Sequence, residues 1–322
     1  MEVFKRCIRF SVLCSIRLST QVKVSNIPHF IPLRMASSYL AVQRGTTNTT
    51  DYKIYFKNSN GYISPLHDIP TYDNESAGIV NMVVEIPRWT NAKMEINLKE
   101  PLNPIKQDIK KGKLRFVPNC FPHHGYIWNY GAIPQTWENP EIKDEHTGCV
   151  GDNDPIDVLE IGSRIAKRGE VLNSKVLGCI ALIDEGETDW KIVSISKSDP
   201  LADSVNDITD VDKYFPGLLK ATMEWFRIYK IPDGKPENQF GFNGEFKDRE
   251  FALKIIEETR SQWQSLMLKE ESKICRTNTT LDKKNFQVSY EEAEEVVNQT
   301  PPHEIGEPDD DSVGKWHFLH LK

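Results

Sequence analysis

Asp152, Asp154 and Asp157 lie in the heptad Gly151-Asp152-Asn153-Asp154-Pro155-Ile156-Asp157, directly before the strand-like run Val158-Leu159-Glu160-Ile161. Carboxylates so close repel one another, by on the order of 4 kcal/mol for two charges about 4 Å apart at an effective dielectric near 20. If they converge, a cation or a bound proton is expected. An all-oxygen set suits Mg2+ or Mn2+ better than zinc. A calcium loop of the EF-hand type fails on spacing. Counted from Asp152, its sixth position is Asp157 instead of Gly and its twelfth is Ser163 instead of Glu. On the heptad alone, a plain Asp-rich turn stays open beside the metal site.

Asp184 and Asp189 bound the loop Asp184-Glu185-Gly186-Glu187-Thr188-Asp189 between the β-branched runs 175–183 and 190–195, which read as a hairpin. Lys191 follows Asp189 by two residues, so in a strand the two side chains share a face. A solvated hairpin tip with a surface ion pair is the plain alternative. Lys93 and Glu95 alternate in the run 92–98, after Glu85 in the run 79–86; charges inside such runs need a partner or a wet cavity. Arg115, Tyr126, Tyr130, Tyr229 and Lys230 complete the set. Arginine binds phosphate with a planar fork and lysine as a point charge, while tyrosine donates without adding charge. Core packing is the plain reading of the tyrosines taken singly. Together the residues suit a metal-bridged site for a small polyanion. A Walker phosphate loop, a His-Glu-x-x-His helix and a Gly-x-Ser-x-Gly turn are all absent from the sequence, which disfavours a covalent hydrolase.

The elements that must position these residues read as strands first and helices after. Two helices are expected. One is entered near Pro216, with Leu218, Leu219, Thr222, Met223 and Phe226 at helical spacing, and is stopped by Pro232. The other runs over 248–269 with Phe251, Ile255, Ile256, Thr259, Trp263, Leu266 and Met267 on one face. The chain divides into a leader over 1–50, a catalytic domain over 51–269 and an acidic tail over 270–322. The leader carries seven Lys or Arg against one acid, Glu2, the composition of a mitochondrial transit peptide. Met35 could instead start a shorter cytoplasmic form, so a cytoplasmic protein with a mitochondrial form is expected if residues 1–34 act as a transit peptide. Residues 291–311 hold nine acids and no Lys or Arg, which reads as a solvated, partly disordered stretch; the apolar residues 316–321 should dock.

Over 322 residues the net charge is −7 and mean hydropathy is −0.50. An acidic chain is a poor partner for nucleic acid, and no apolar run is long enough to span a membrane. The six cysteines form no close pair of the metal-knuckle type.

The stretch Val84-Glu85-Ile86-Pro87-Arg88-Trp89-Thr90-Asn91-Ala92-Lys93, the aspartate heptad, and residues 184–191 and 215–235 resemble, in order, blocks of the eukaryotic family I soluble inorganic pyrophosphatases. The resemblance covers about residues 51–265. It implies a mainly β fold with flanking helices, a closed five-stranded OB-like β-barrel, and Mg2+-dependent hydrolysis of pyrophosphate to two phosphates, with several ions and Mn2+ as a substitute. It implies Mg2+ ligation by Asp152, Asp157, Asp184 and Asp189, with Glu95 acting largely through water. Asp154 would then orient or deprotonate the attacking water. Lys93, Arg115, Lys191, Tyr229 and Lys230 would hold the phosphoryl groups, supported by Glu85, Tyr126 and Tyr130. It further implies a homodimer formed through Arg88, Trp89, His124 and Trp316. Three rival readings are a phosphohydrolase acting on nucleotides or phosphoesters, an OB-type nucleic-acid binding module, and a subunit of a larger assembly docked through the acidic tail.

Overall fold

A computed structural model describes residues 38–281 and 285–320. The transit-peptide reading of residues 1–34 lies outside the described residues. The end of the expected leader is part of the fold. Leu40–Arg44 forms strand β1, paired antiparallel with β2 (Lys53–Lys57), so folded structure begins before residue 51. Ala41 and Val42 pack on different apolar clusters, so β1 shows no one-sided apolar period to read.

The remaining strands are β3 (Ile79–Ile86), β4 (Met94–Ile96), β5 (Ile105–Gln107), β6 (Asn129–Ala132), β7 (Asp157–Glu160), β8 (Val171–Asp184) and β9 (Glu187–Ser196), beside several two- and three-residue pairings. Five of them pair in a ring. β3 pairs with β6 and with the first part of β8, β6 pairs with β7, β7 runs parallel to β9, and β9 pairs antiparallel with β8. β8 pairs with β3 along Val171–Lys175 and with β9 along Ser174–Asp184, and its register against β9 shifts between Val176 and Gly178. A Cβ at Gly178 would lie 2.4 Å from the Lys247 carbonyl oxygen, so only glycine allows this close approach at the shift. A smaller sheet of order β1-β2-β5-β4 adjoins the ring.

All eight residues of β3 are buried, which explains its near-continuous apolar run. Val83 and Ile86 face one cluster with Trp225 and Phe226, while Val80, Met82 and Val84 face another with Ile255 and Ile256. The helices are α1 (Ile208–Tyr214), α2 (Leu218–Ile228), α3 (Arg249–Leu268) and α4 (Tyr290–Asn298). In α3, Ala252 takes the buried place expected of Phe251; the other six expected residues are buried. Its N-cap Asp248 accepts the Phe251 N–H at 2.9 Å, a contact worth about 1 kcal/mol. In α2, Leu219, Thr222 and Phe226 are buried as expected, while Leu218 and Met223 are only partly covered and Trp225 and Ile228 are buried instead.

The stretch 291–311 departs from the expected disordered tail at its start. Ser289 and Glu292 form a capping box on α4, and Ala293 and Val297 are buried against Tyr55, Tyr62 and Leu102. The acids occupy the outer face, so charge and helix coexist. At the chain's end, Trp316–His317 pairs in parallel with Asn119–Cys120.

Candidate active site

The β8–β9 hairpin and the heptad meet at one cavity of about 440 Å³. In the β8–β9 hairpin the expected six-residue loop tightens to a two-residue turn, Glu185-Gly186, with φ of 51° and 94°, as a type I′ turn requires. Register places Asp184 opposite Glu187 and Leu182 opposite Asp189, with Ile180 opposite Lys191. Residues two apart face the same way, so Asp184, Glu187, Asp189 and Lys191 share the face that lines the cavity.

The heptad is held by backbone pairing to an acid that sequence spacing does not reveal. Glu138 N–H donates to the Asp154 carbonyl and Asn153 N–H donates to the Glu138 carbonyl, each at 2.9 Å. A Cβ at Gly151 would lie 2.4 Å from the Glu138 carbonyl carbon, so glycine is what admits this approach. Asn153 takes φ 75°, a conformation asparagine tolerates. As a result one carboxylate oxygen each of Glu138, Asp152 and Asp189 falls within 4.8 Å of the others. Glu138 Oε1 accepts the Trp190 N–H at 3.0 Å, while its buried Oε2 has no hydrogen-bond partner.

Lys93, Arg115, Tyr126, Tyr130, Asp152, Asp154, Asp157, Asp184, Asp189, Lys191, Tyr229 and Lys230 all line the cavity. Glu95 and Glu85 stand outside that lining. Glu95 is held to Lys93 at 2.7 Å, and the buried Glu85 accepts the Ile96 N–H at 2.6 Å. Glu185, Glu187, Trp225 and Phe226 are further lining residues; the two acids lie in the hairpin segment already marked by Asp184 and Asp189. Lys191 contacts both Asp157 and Asp189 and donates to the Tyr130 hydroxyl at 3.1 Å; that hydroxyl in turn donates to Asp157. Tyr229 donates to Asp184 at 3.1 Å, and Lys230 bridges Asp184 and Glu185.

Seven carboxylates face four cationic side chains in this lining. Burial, then repulsion from Asp189 and Asp154, pushes Asp152 well above the carboxylate range. Burial lifts Asp189 to about 7 against the pull of Lys191, with repulsion from Asp157 and Asp184. Removal from bulk water, then repulsion from Glu95 and Asp157, brings Asp154 to about 7. Asp154 is nonetheless open to solvent; repulsion deserves more weight there, since an exposed carboxylate keeps much of its hydration. Glu138 is raised well above its usual range by burial, then by Asp152 and Asp189. Burial carries Tyr126 up to about 12 and, with repulsion from Asp157 and Asp189, raises Tyr130 well above its usual value, so both stay neutral donors.

The unpartnered Glu138 oxygen and the raised carboxylates fit hard divalent cations, which would relieve each of these strains. A small polyanion could then bind between those cations and the Lys, Arg and Tyr wall. Residues 82–264 match the family model described as inorganic pyrophosphatase. An inorganic pyrophosphatase of Drosophila melanogaster is 62% identical over 287 residues, covering 88% of this chain and 85% of that protein. Mouse inorganic pyrophosphatase 2, mitochondrial, is 50% identical over 306 residues, covering 89% and 93%. The structure of inorganic pyrophosphatase from Schistosoma japonicum superposes with a TM-score of 0.83 at 48% identity, covering 87% of this chain and all of that one. With its carboxylate cluster and cationic wall inside the matched segment, the chain belongs to the inorganic pyrophosphatase family, whose members hydrolyse pyrophosphate to phosphate.

Proposed function

We propose that the chain hydrolyses pyrophosphate with Mg2+ as its cofactor, Mn2+ substituting, and that Asp154 is the base. The observation that carries this reading is the excess of carboxylates over cations in the lining, with the Glu138 oxygen left unpartnered among them. A tetra-anionic ligand would be repelled from such a cavity unless divalent cations intervene. Asp152, Asp157, Asp184 and Asp189 would hold the ions, with Glu138 beside them and Glu95 acting through water. When bound, the ions supply Lewis-acid polarisation of the phosphoryl oxygens and acidify coordinated water.

Lys93, Arg115, Lys191, Tyr229 and Lys230 bind and orient the two phosphoryl groups, placing one phosphorus in line for attack by water. Asp154 takes or orients the proton of that water. It lines the cavity and is open to solvent, as a base that must reach water requires. Lys191 and Tyr130 donate toward the departing phosphate, whose charge grows as the P–O bond breaks. Phosphate release from pyrophosphate, ATP and a phosphomonoester, with and without Mg2+ or Mn2+, tests the reading. Fast Mg2+-dependent release from pyrophosphate alone is expected; release mainly from nucleotides or esters would replace it with a broader phosphohydrolase.

The ring of five strands is, on this reading, a closed OB-like β-barrel; the pairings that return to their starting strand support it. A homodimer is supported by an exposed aromatic patch. Phe121 sits 6.0 Å from Trp316 and 5.3 Å from Phe318, and His124 sits 5.8 Å from Trp316, centroid to centroid. Trp89 is half exposed at φ 64°, while Arg88 donates inward to the Glu160 and Gly162 carbonyls. Sedimentation of W89S/W316S should give monomer where the wild type gives dimer; a monomeric wild type would remove the proposal. A mitochondrial form rests on the basic leader and the mitochondrial mouse relative. Import and cleavage of a reporter carrying residues 1–34 is its test, and a reporter left in the cytoplasm would count against it.

A further inference from the structure

Arg115 and Lys230 reach the cavity from separate elements. Arg115 follows a short hairpin, Ile109–Lys110 paired with Lys113–Leu114, whose turn residues Lys111 and Gly112 take φ of 52° and 75°. Its root is well fixed. Arg115 N–H donates to the Asp108 carbonyl at 2.8 Å, its guanidinium donates to Asp108 Oδ2 at 2.9 Å, and its carbonyl accepts from Lys93 N–H at 3.0 Å. The tip is not held by packing: Ile109 is 48% exposed, and a Cβ built at Gly112 meets nothing within 4 Å.

Lys230 leads into the turn Ile231–Asp233, closed by Gly234 at φ 83°. On one side this segment is tied to the β8–β9 hairpin, where Glu185 accepts from Lys230 at 3.0 Å and from Lys235 at 2.7 Å. On the other side, Lys110 Nζ donates to Asp233 Oδ2 at 2.6 Å across 123 positions of sequence.

We propose that Lys110 and Asp233 form a latch across the cleft mouth that positions Arg115 and Lys230 for the same pyrophosphate. The proposal rests on the substrate reading above. Neither latch residue lines the cavity; each acts through the cationic residue it places, so both are positioning residues. The latch fixes the span between two groups that grip one ligand. Loosening it weakens binding of substrate and transition state alike, which raises KM with little change in kcat.

Steady-state kinetics on pyrophosphate with D233N, K110Q, the double variant and the charge swap K110D/D233K tests this. The sign for D233N is decisive. If the pair had no positioning role, removing a negative charge beside an anionic substrate would leave KM unchanged or lower it. The latch instead predicts that KM rises roughly three-fold for either single variant, the scale of an exposed ion pair. kcat should stay within about two-fold. The double variant should be no worse than either single one, and the swap should restore most of the loss. A D233N enzyme with unchanged or lower KM, or singles whose effects multiply in the double variant, overturns the latch. Wild-type protein that fails to turn over pyrophosphate overturns the substrate reading instead.

Discussion

Acidifying the protein from pH 7 to pH 5 should weaken its folding through His67, a buried residue that does not line the catalytic cavity. Trp263 Nε1–H donates to His67 Nδ1 at 3.0 Å, and His67 Nε2 lies 3.0 Å from the Cys275 carbonyl oxygen. An indole nitrogen only donates, so Nδ1 must accept, the proton sits on Nε2 and the ring is neutral. Burial lowers its pKa from 6.5 to about 4, outweighing the Cys275 carbonyl and Asp68, with Arg276 adding repulsion. Between those values the unfolded chain binds a proton that the folded chain refuses, so stability falls as pH falls through that window. At about 1.4 kcal/mol per pH unit the loss reaches about 2 kcal/mol at pH 5. Denaturant unfolding at pH 7, 6 and 5, at fixed protein concentration, compares wild type with His67→Gln. Glutamine keeps a donor and an acceptor but does not titrate, so the difference between the two proteins isolates His67 from the carboxylates. The wild type should lose about 2 kcal/mol more than the variant between pH 7 and 5. Parallel pH profiles would refute the neutral, buried tautomer.

Glu138→Gln should shift the Mg2+ activation curve to roughly ten-fold higher concentration while the thermal midpoint without metal holds or rises, because a strained, like-charged carboxylate is removed. An unmoved activation curve would exclude Glu138 from the cation site. Val297→Ala on α4 should cost about 2 kcal/mol in denaturant unfolding, since Val297 is fully buried and two methyl groups are lost with partial collapse of the space. A loss below about 0.5 kcal/mol would show that α4 adds little to the folded core.

The chemistry was legible wherever local spacing carries it. Three aspartates in one heptad, and Asp189 two residues before Lys191, marked candidate sites by spacing alone, while a plain turn and a surface ion pair stayed open until the residues were taken together. Glu138 was not legible: fourteen residues before Asp152, it reaches the cluster through two backbone hydrogen bonds and the missing Cβ of Gly151. Those are tertiary facts with no periodic signal. The long α3 could be read from its apolar face, whereas α1 spans seven residues and buries two, too few to show a period. On α4 the capping box Ser289-x-x-Glu292 was present in the sequence, but the acid run around it pointed to a solvated coil. The acids mark its outer face, and Ala293 and Val297 settle its inner one.

The most direct test of the central claim is the single-turnover rate of phosphate release from pyrophosphate by wild type and Asp154→Asn under saturating Mg2+, with binding of Mn2+ and of a non-hydrolysable pyrophosphate analogue measured on both. Wild type should release phosphate rapidly. The variant should bind metal and analogue within about three-fold of wild type yet turn over at least about 100-fold more slowly, the scale of general-base catalysis. An Asp154→Asn enzyme with undiminished turnover would contradict the account.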